Sequence, residues 1–253
     1  MKIFAVLASL AVGSSLLLNS CGAILSGLLG SSVRQEVSVE TKAPETPNLE
    51  FADYEIIRED RSFLEEKSKK PLIEIYYDRV EVAENVPGAE AINAHISAQC
   101  EAFLGQRDGL ETNLEFPGLS TDSPFYCTSV AEVTHNGGGV FSVRSSESWF
   151  MGGVGNYNLS GLTFDMETGQ LLTLAELCPQ KEGQIREFAL AWMEETYGEE
   201  DFFGREETLA KYAYEEIPFF ILNGQVVLCF PTYTFAAGAS GPTIIETGLL
   251  IGG

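Results

Sequence analysis

Apolar residues recur along two segments of this chain at the three- or four-residue spacing that places them on one face of a helix. The first segment is 89–104, where the spacing predicts an amphipathic helix with a buried stripe. The second lies in the carboxy-terminal half and keeps its charged residues off the apolar face. The apolar positions of the first are Ile92, Ile96, Cys100 and Phe103, and those of the second are Ile185, Phe188, Ala189, Trp192 and Met193.

Runs of β-branched and aromatic residues predict strands over much of the remaining chain. Asn-Gly pairs supply the positive-φ positions of tight hairpins. Such pairs separate 125–135 from 140–150, and 219–222 from 226–230. The other predicted strands are 51–57, 72–77, 156–166, 171–174 and 243–247.

Two further local patterns complete the predicted elements. Residues 58–70 are rich in charge and predict a poorly buried helix or a loop. Thr173 and Glu176 have the spacing of a capping box, which predicts that a short helix or helical turn begins there. Together these elements predict an α+β domain, in which an antiparallel sheet built from hairpins carries two main helices packed on it.

The first thirty residues contain a single charged side chain. An uncharged run, 3–18, is followed by small residues and then Cys21. This pattern predicts a lipoprotein signal peptide over 1–20, with a lipid attached to the thiol of Cys21. The uncharged stretch continues for nine residues beyond that cysteine, so an uncleaved membrane anchor is the alternative. Both interpretations place the rest of the chain outside the cytoplasm, anchored to the bacterial cell membrane.

The residues after the predicted signal peptide carry serine, threonine, proline and glutamate without periodicity. Such a composition is typical of a linker that does not pack into a core. Residues 21–70 are therefore predicted to be a tether and a poorly ordered amino-terminal segment between the membrane and the folded body.

Composition adds a strong acidic bias to this organisation. The 253-residue chain has 37 acidic and 15 basic residues, a formal net charge of −22. Such a surface disfavours nucleic acid and draws a basic partner towards it at low ionic strength. The hydrophobic fraction of 45% is enough for a packed interior, so the exported body is expected to be globular.

Five cysteines are present. If Cys21 is acylated, an even number remains, and an oxidising compartment permits disulfides among them. A buried free thiol suits Cys100 equally well, because it lies on the apolar stripe of the first helix. No Cys-x-x-Cys pair and only two histidines occur, so neither a metal nor a cofactor is predicted. The remaining cysteines, whose pairing stays open, are Cys100, Cys127, Cys178 and Cys229.

No residue pattern in the chain specifies a reaction. His95 lies beside the apolar stripe of the first helix and His135 lies beside a hairpin turn. Most histidines in such positions are structural, although a general base is usually a histidine. No catalytic residue is therefore predicted, and enzymatic activity stays an open alternative.

Three motifs, taken in order, resemble a known extracytoplasmic domain family. Residues 75–77 with 91–96 resemble the strand and helix start of the PdaC-type amino-terminal lobe. Residues 164–177, which begin Phe-Asp and continue through Thr-Gly to Leu-Thr-Leu, resemble a segment of the RsiV-like carboxy-terminal lobe. Residues 230–242 resemble the ending of that same lobe.

The resemblance implies a PdaC-like lobe over 71–160 and an RsiV-like lobe over 161–250. The family is mostly of unknown function, but one member senses lysozyme and another precedes the catalytic domain of a peptidoglycan deacetylase. What it implies here is a membrane-anchored extracytoplasmic binding or sensing lipoprotein of the cell envelope, with lysozyme or peptidoglycan as the candidate ligand. The alternative is a cell-wall modifying enzyme or its accessory domain.

Aromatic residues next to these motifs are the candidate binding residues, because aromatic anchors dominate binding energies. Family members often carry a Gly-Gly-Ala-His-Gly turn, which corresponds to 152–156 here with Gly155 in place of the histidine. The retained glycines suit a backbone that needs unusual dihedral angles. The candidate binding residues are Trp149, Tyr157, Tyr233, Gly152 and Gly153.

Overall fold

Two β-sheets of unequal size form the frame of the protein. The computed structural model describes residues 51–198 and 203–252, all within one unit that starts at Glu45. Its strands are β1 (Tyr54–Asp60), β2 (Phe63–Leu64), β3 (Pro71–Val82), β4 (Phe125–Gly137), β5 (Val140–Phe150), β6 (Asn156–Asp165), β7 (Phe219–Leu222), β8 (Gln225–Phe230) and β9 (Thr243–Leu250). The larger sheet has the order β1-β3-β4-β5-β6 with β2 paired to β3, and the smaller has the order β7-β8-β9.

Helices fill the connections between these strands. Those described are α1 (Ala89–Leu104), α2 (Arg107–Leu110), α3 (Leu174–Leu177), α4 (Glu182–Tyr197) and α5 (Arg205–Ala210), with 3₁₀ turns at Glu111–Glu115, Tyr214–Glu216 and Gly238–Ser240. Among residues 51–198 and 203–252, none of these helices combines the length and apolar character that crossing a membrane requires. The predicted signal peptide, the predicted lipid attachment at Cys21 and the part of the predicted tether up to residue 50 lie outside the described residues.

All neighbouring strands in the described part of the chain run antiparallel, except β3 and β4, which are parallel. A parallel pair needs a long crossover, and residues 83–124 supply it with α1, α2 and a 3₁₀ turn. The predicted α+β class is confirmed, and the structure adds a second sheet and one parallel pair to the predicted antiparallel sheet. Strand β6 runs across the boundary between the predicted lobes, whose assignment stays a prediction.

Helix α1 has the bounds that its apolar spacing predicts. Ile92 and Ile96 are buried in one cluster with the valines at the end of β3. Cys100 is buried in a second cluster, together with residues nearer the start of β3. The amide of Asn93 fixes the helix to β3, because it accepts a hydrogen bond from the Val82 N–H and donates one to the Val82 carbonyl, both at 2.8 Å.

Helix α4 covers the smaller sheet. Ile185, Ala189 and Met193 are fully buried in one cluster with residues of β7, β8 and β9. Phe188 is 40% exposed and Trp192 is half-buried, so the buried stripe of this helix is narrower than its sequence predicts. A flat sheet contacts only the central row of a helix surface, which leaves the flanking positions at the edge of the contact.

Hydrogen bonds from the edge of β7 join the smaller sheet to the face of the larger one. The Ile221 N–H donates to Ser142 Oγ at 2.9 Å, and Ser142 Oγ is also 2.9 Å from Thr163 Oγ1. Two residues further along the chain, the Asn223 N–H donates to the Thr134 carbonyl at 3.0 Å. These contacts satisfy edge donors that would otherwise be buried without a partner.

Gly161 lets the two sheets approach each other at this junction. A Cβ added to Gly161 would lie 2.1 Å from the Phe219 carbonyl oxygen and 2.7 Å from the Phe220 Cβ. Any residue other than glycine would therefore separate β6 from β7.

Both predicted hairpins are confirmed, but only the second turns at its Asn-Gly pair, because Asn136 and Gly137 are the last residues of β4. Gly138 and Gly139 connect β4 to β5 with φ of 58° and 80°, and Asn223 and Gly224 connect β7 to β8 with φ of 50° and 86°. Two consecutive positive φ values are what the tight turn between twisted strands requires.

Two local predictions need revision, and one is confirmed. Part of 58–70 is strand, because β1 continues to Asp60 and β2 follows. The strand predicted over 171–174 is reduced to one bridge between Leu171 and Phe164. The capping box forms as predicted: the Thr173 N–H donates to Glu176 Oε2, and the Glu176 N–H donates to Thr173 Oγ1. The last residues of the predicted strand 171–174 therefore form the cap and the first residue of α3 instead.

The four cysteines within the described residues are free thiols, which settles the alternative that the sequence left open. Cys100, Cys178 and Cys229 are buried, and Cys127 is half-buried. Their positions in the packed interior are typical of cysteines that act as small apolar residues.

Alkylation with iodoacetamide in guanidinium without a reductant should therefore modify Cys100, Cys127, Cys178 and Cys229, as mass spectrometry of the peptides can check. In the folded protein Cys229 should stay unmodified, because burial raises its pKa to about 12 and the thiolate is the reactive form. A pair of these cysteines that reacts only after reduction would contradict the free-thiol assignment.

Gly161→Ala should lower the free energy of unfolding by about 1–3 kcal/mol or more, because the added methyl group overpacks the junction of the sheets. Unfolding in urea measures the loss. Gly183→Ala is the matched control, since a Cβ there meets nothing within 4 Å and alanine favours the helix. Equal stability of the two variants would show that the junction tolerates separation.

Candidate functional site

The end of the larger sheet where β5 leads into β6 gathers three of the predicted binding residues. Trp149, near the end of β5, lies directly opposite Asn156, the first residue of β6. The Tyr233 hydroxyl donates a hydrogen bond to Asn156 Oδ1 at 3.5 Å, and Tyr157 is the next residue of β6. We refer to Trp149, Asn156, Tyr157 and Tyr233 as the aromatic end.

The two tyrosine rings of the aromatic end are exposed and lie directly against backbone. Tyr157 is 45% exposed and Tyr233 is 59% exposed. A Cβ added to Gly238 would lie 2.1–2.2 Å from ring atoms of Tyr233, and one added to Gly241 would lie 2.6–3.0 Å from the Tyr157 side chain. Glycine at these two positions therefore leaves room for the tyrosine side chains to pack closely against the backbone.

The segment that carries Tyr233 is fixed to the edge of β6. The Thr232 N–H donates to Asn158 Oδ1 at 2.9 Å, and the Thr232 hydroxyl donates to the Tyr157 carbonyl at 2.5 Å. Tyr233 has a φ of 72°, a left-handed conformation that is uncommon for a tyrosine. Such conformations persist where the surrounding structure holds them, and they concentrate at functional sites.

The two glycines of the predicted site have different surroundings. Gly152 has a φ of 81°, and a Cβ added to it would lie 2.8 Å from the Phe125 ring and 3.1 Å from the Phe116 ring. Packing against these rings accounts for the glycine at this position. Gly153 is open, since a Cβ there would meet nothing within 4 Å. A binding role for either glycine stays a prediction.

A polar row that sequence reasoning missed lies on the same sheet face as Trp149. In the strand register Tyr77 is opposite Ser129, Ser129 is opposite Glu147, and Glu147 is opposite Asn158. Trp149 is two residues beyond Glu147, so both side chains project from the same face.

Burial perturbs the titratable groups of this row. It raises the pKa of Glu147, and it raises the pKa of Cys127 to about 11 with a further contribution from the charge of Glu147. Burial also raises the pKa of Tyr77, opposed by a hydrogen bond to Ser145. At neutral pH the thiol and the phenol are therefore neutral, which leaves Glu147 as the carboxyl group of the row.

The sequence signal for Glu147 was weak because β5 is polar on both faces. Arg144, Ser146 and Ser148 alternate with Ser145 and Glu147. Neither alternating group of residues is apolar, so the sequence does not show which face of β5 is buried. Only the register with β4 and β6 shows which carboxyl faces the partly covered interior.

A groove of about 850 Å³ lies at the opposite end of β5, beside the β4–β5 and β7–β8 turns. Its lining combines Phe51, Tyr54 and Leu177 with the polar side chains of His135 and Asn136. The Asn136 amide is engaged, since it accepts from the Ala52 N–H and donates to the Ala52 carbonyl at 2.8 Å.

Both histidines have local structural surroundings. His135 Nε2 lies 3.1 Å from the carbonyl oxygen of Gly137 in its own turn. His95 packs edge-on against buried Phe164, with ring centroids 5.6 Å apart. No group of three or more metal-ligating side chains occurs in the part of the chain that the structure describes.

Comparison with known proteins supports the fold. No protein-family model matches the chain, and no curated protein matches it. The structure is similar to that of a DUF3298 family member from Bacteroides fragilis, with a TM-score of 0.50 and 12% identity over 81% of this chain and 96% of the other. A DUF3298 family protein from Pseudomonas aeruginosa gives a TM-score of 0.49 and 14% identity over 78% and 90% of the two chains. At this level of identity, the similarity to the Bacteroides fragilis structure supports the α+β fold alone.

Glu147→Gln should stabilise the protein at neutral pH. Because burial raises the pKa of Glu147 in the folded state, the folded protein binds the proton more tightly than the unfolded chain does. The stability that this proton contributes is present at low pH and is lost as the pH rises through the raised pKa. The free energy of unfolding in urea should therefore favour the variant at pH 7, with the difference vanishing below about pH 4.

Glu246→Gln is the control for this measurement, since Glu246 is an exposed carboxylate on β9 and its loss changes the net charge equally. The control should change stability little at either pH. A Glu147→Gln variant that is less stable than the wild type at pH 7 would mean that the carboxylate has a stabilising partner.

Proposed function

We propose that this protein is a membrane-anchored extracytoplasmic binding lipoprotein of the bacterial cell envelope, with PdaC-like and RsiV-like lobes, and that the aromatic end binds its ligand. The observation that carries the proposal is the pair of exposed tyrosine side chains packed closely against glycine backbone at one end of the larger sheet. The lipid on Cys21 would hold the body at the membrane, and the residues between Cys21 and β1 would give it reach.

Peptidoglycan is the ligand that the geometry of the aromatic end supports best. Tyrosine and tryptophan offer a large apolar ring face with a polar tip, which suits a sugar ring with one apolar face and hydroxyl groups at its rim. The side chains of Tyr157 and Tyr233 already pack closely against Gly241 and Gly238. Binding would therefore require little further ordering of these side chains.

Lysozyme is the second candidate ligand, and the charge of the chain favours it. A net charge of −22 attracts a basic protein and accelerates its association. The exposed tyrosines would then be anchors in a protein–protein interface, where aromatic residues contribute most of the binding energy.

A cell-wall modifying enzyme, or an accessory to one, is the alternative function. Glu147 favours it, because burial raises the pKa of this carboxyl group and so favours the protonated form that a general acid needs. Incubation of peptidoglycan with the wild type and with Glu147→Gln tests it. Release of reducing ends or acetate by the wild type and not by the variant would support catalysis, and no release by either would exclude these two reactions.

Tyr157→Ala and Tyr233→Ala should each weaken binding of soluble peptidoglycan fragments by roughly tenfold or more, because truncated aromatic anchors commonly remove 2 kcal/mol or more, about thirtyfold. Isothermal titration calorimetry of the full chain measures the effect, with hen lysozyme as the second titrant. Phe188→Ala, which removes an exposed aromatic ring on α4, is the control and should bind like the wild type.

The identity of the weakened titrant decides between the candidate ligands. Loss of fragment binding in the tyrosine variants supports a glycan receptor, and loss of lysozyme binding supports a lysozyme sensor. Wild-type protein that binds neither titrant, or tyrosine variants that bind both like the wild type, would refute the proposal.

A further inference from the structure

We propose that the end of the protein where the tether joins the folded body is a membrane-docking surface, and that its contact with the lipid bilayer turns the aromatic end away from the membrane. This inference rests on the proposed anchoring at Cys21 and goes beyond it. A lipid on a tether limits only the distance between body and membrane, whereas a docked surface also fixes the orientation of the body.

Two neighbouring hollows form one apolar surface at this end. The first is the groove of about 850 Å³ beside the β4–β5 and β7–β8 turns, and the second, of about 310 Å³, lies beside the end of β9. Leu177 lines both hollows. Phe51 and Tyr54 in the groove are 68% and 44% exposed, and Leu250 in the second hollow is 60% exposed. We refer to Phe51, Tyr54, Leu177, Leu250 and Ile251 as the apolar end. Exposed apolar side chains grouped in this way are characteristic of a contact with a protein or a membrane.

Phe51 and Tyr54 project from firmly held backbone. The residue between them, Ala52, is buried, and both of its backbone groups bond to the Asn136 amide at 2.8 Å. The Tyr54 ring also packs edge-on against buried Phe141, with ring centroids 5.8 Å apart. The backbone of this surface therefore needs no further ordering when it docks, which lowers the entropic cost of the contact.

The charge of the apolar end favours a lipid bilayer. Among the described residues that line either hollow, none is acidic, and Lys181 is the only one with a permanent charge. The chain as a whole has a net charge of −22, which repels anionic headgroups. A bilayer with anionic lipids is therefore accepted at this surface more readily than at an acidic one. The acidic sequence neighbours of the lining residues line neither hollow themselves: Asp53, Glu55, Glu176 and Glu182.

The predicted tether brings the apolar end to the bilayer. Phe51 is the first described residue and lies in the lining of the groove, so the chain that comes from Cys21 enters the body at this surface. A flexible chain as long as residues 22–50 has an r.m.s. span of about 30 Å. Tethering over so short a distance gives an effective concentration in the millimolar range, so a weak affinity for lipid is enough to keep the surface docked.

Strand β5 links this orientation to the proposed ligand site. It runs from Val140, which lines the groove, to Trp149 of the aromatic end. These two residues lie about 30 Å apart along the strand. With the apolar end in the headgroup region, Tyr157 and Tyr233 would therefore lie on the far side of the body, where the cell wall is.

Photolabelling of the full-length, lipid-modified chain tests the docking. The protein is reconstituted in vesicles of phosphatidylethanolamine and phosphatidylglycerol that contain a phospholipid with a diazirine near the glycerol end of its acyl chain. Mass spectrometry of the peptides locates the adducts. Adducts should form on the peptides that contain Phe51 and Tyr54 or Leu250, and not on those that contain Val154, which is 82% exposed in the loop between β5 and β6.

Phe51→Ser combined with Leu250→Ser should lower the labelling of the apolar end about tenfold, because burial of each apolar side chain contributes a factor of roughly that size. The matched control combines Val154→Ser with Phe188→Ser. It removes two exposed apolar side chains elsewhere and should be labelled like the wild type.

Equal labelling of Val154 and the apolar end would show that the body has no fixed orientation and would overturn the inference. Labelling confined to residues before Phe51 would overturn it too. If the protein still floats with the vesicles in these cases, and binding of peptidoglycan fragments still depends on Tyr157 and Tyr233, the proposed function stands and only this inference fails. Protein that does not float with the vesicles would refute the anchoring itself. Dimerisation in detergent that Phe51→Ser with Leu250→Ser abolishes would assign the surface to a second copy of the chain and overturn the membrane contact.

Discussion

The hydrogen bond from the Ile221 N–H to Ser142 Oγ is the contact on which the arrangement of the two sheets depends. It joins the edge of β7 to the face of the larger sheet, and it works only because Gly161 has no side chain to hold the strands apart. Ser142 is fully buried and also contacts Thr163, so this small polar network has its partners supplied entirely by protein. A buried network of this kind specifies one arrangement, because each alternative leaves a donor or acceptor unpaired.

Strand β6 carries the consequences of that junction to the candidate site. One face of β6 packs against the smaller sheet through Gly161, and Thr232 binds its outer edge by donating to Asn158 Oδ1 and to the Tyr157 carbonyl. The loop that follows β8 therefore returns to the larger sheet and brings Tyr233 beside Asn156. The positions of the exposed tyrosines therefore depend on the packing of the two sheets against each other.

Buried polar groups in this protein fall into two classes. Ser142 and Thr163 have protein partners and stabilise the fold. The Ser129 hydroxyl is buried without a hydrogen-bond partner, which costs stability.

The amino-acid sequence by itself determined the features that depend on near neighbours: the bounds of α1, the two hairpins, the Thr173–Glu176 capping box and the α+β class. Each rests on contacts within a few residues, which a pattern can show. Only the tertiary structure decided the parallel pairing of β3 and β4, the division into two sheets, the narrow buried face of α4 and the location of Glu147. These depend on strand register and on contacts between residues 20 to 80 positions apart, and a strand that is polar on both faces, such as β5, gives no periodic signal to say which side turns inward.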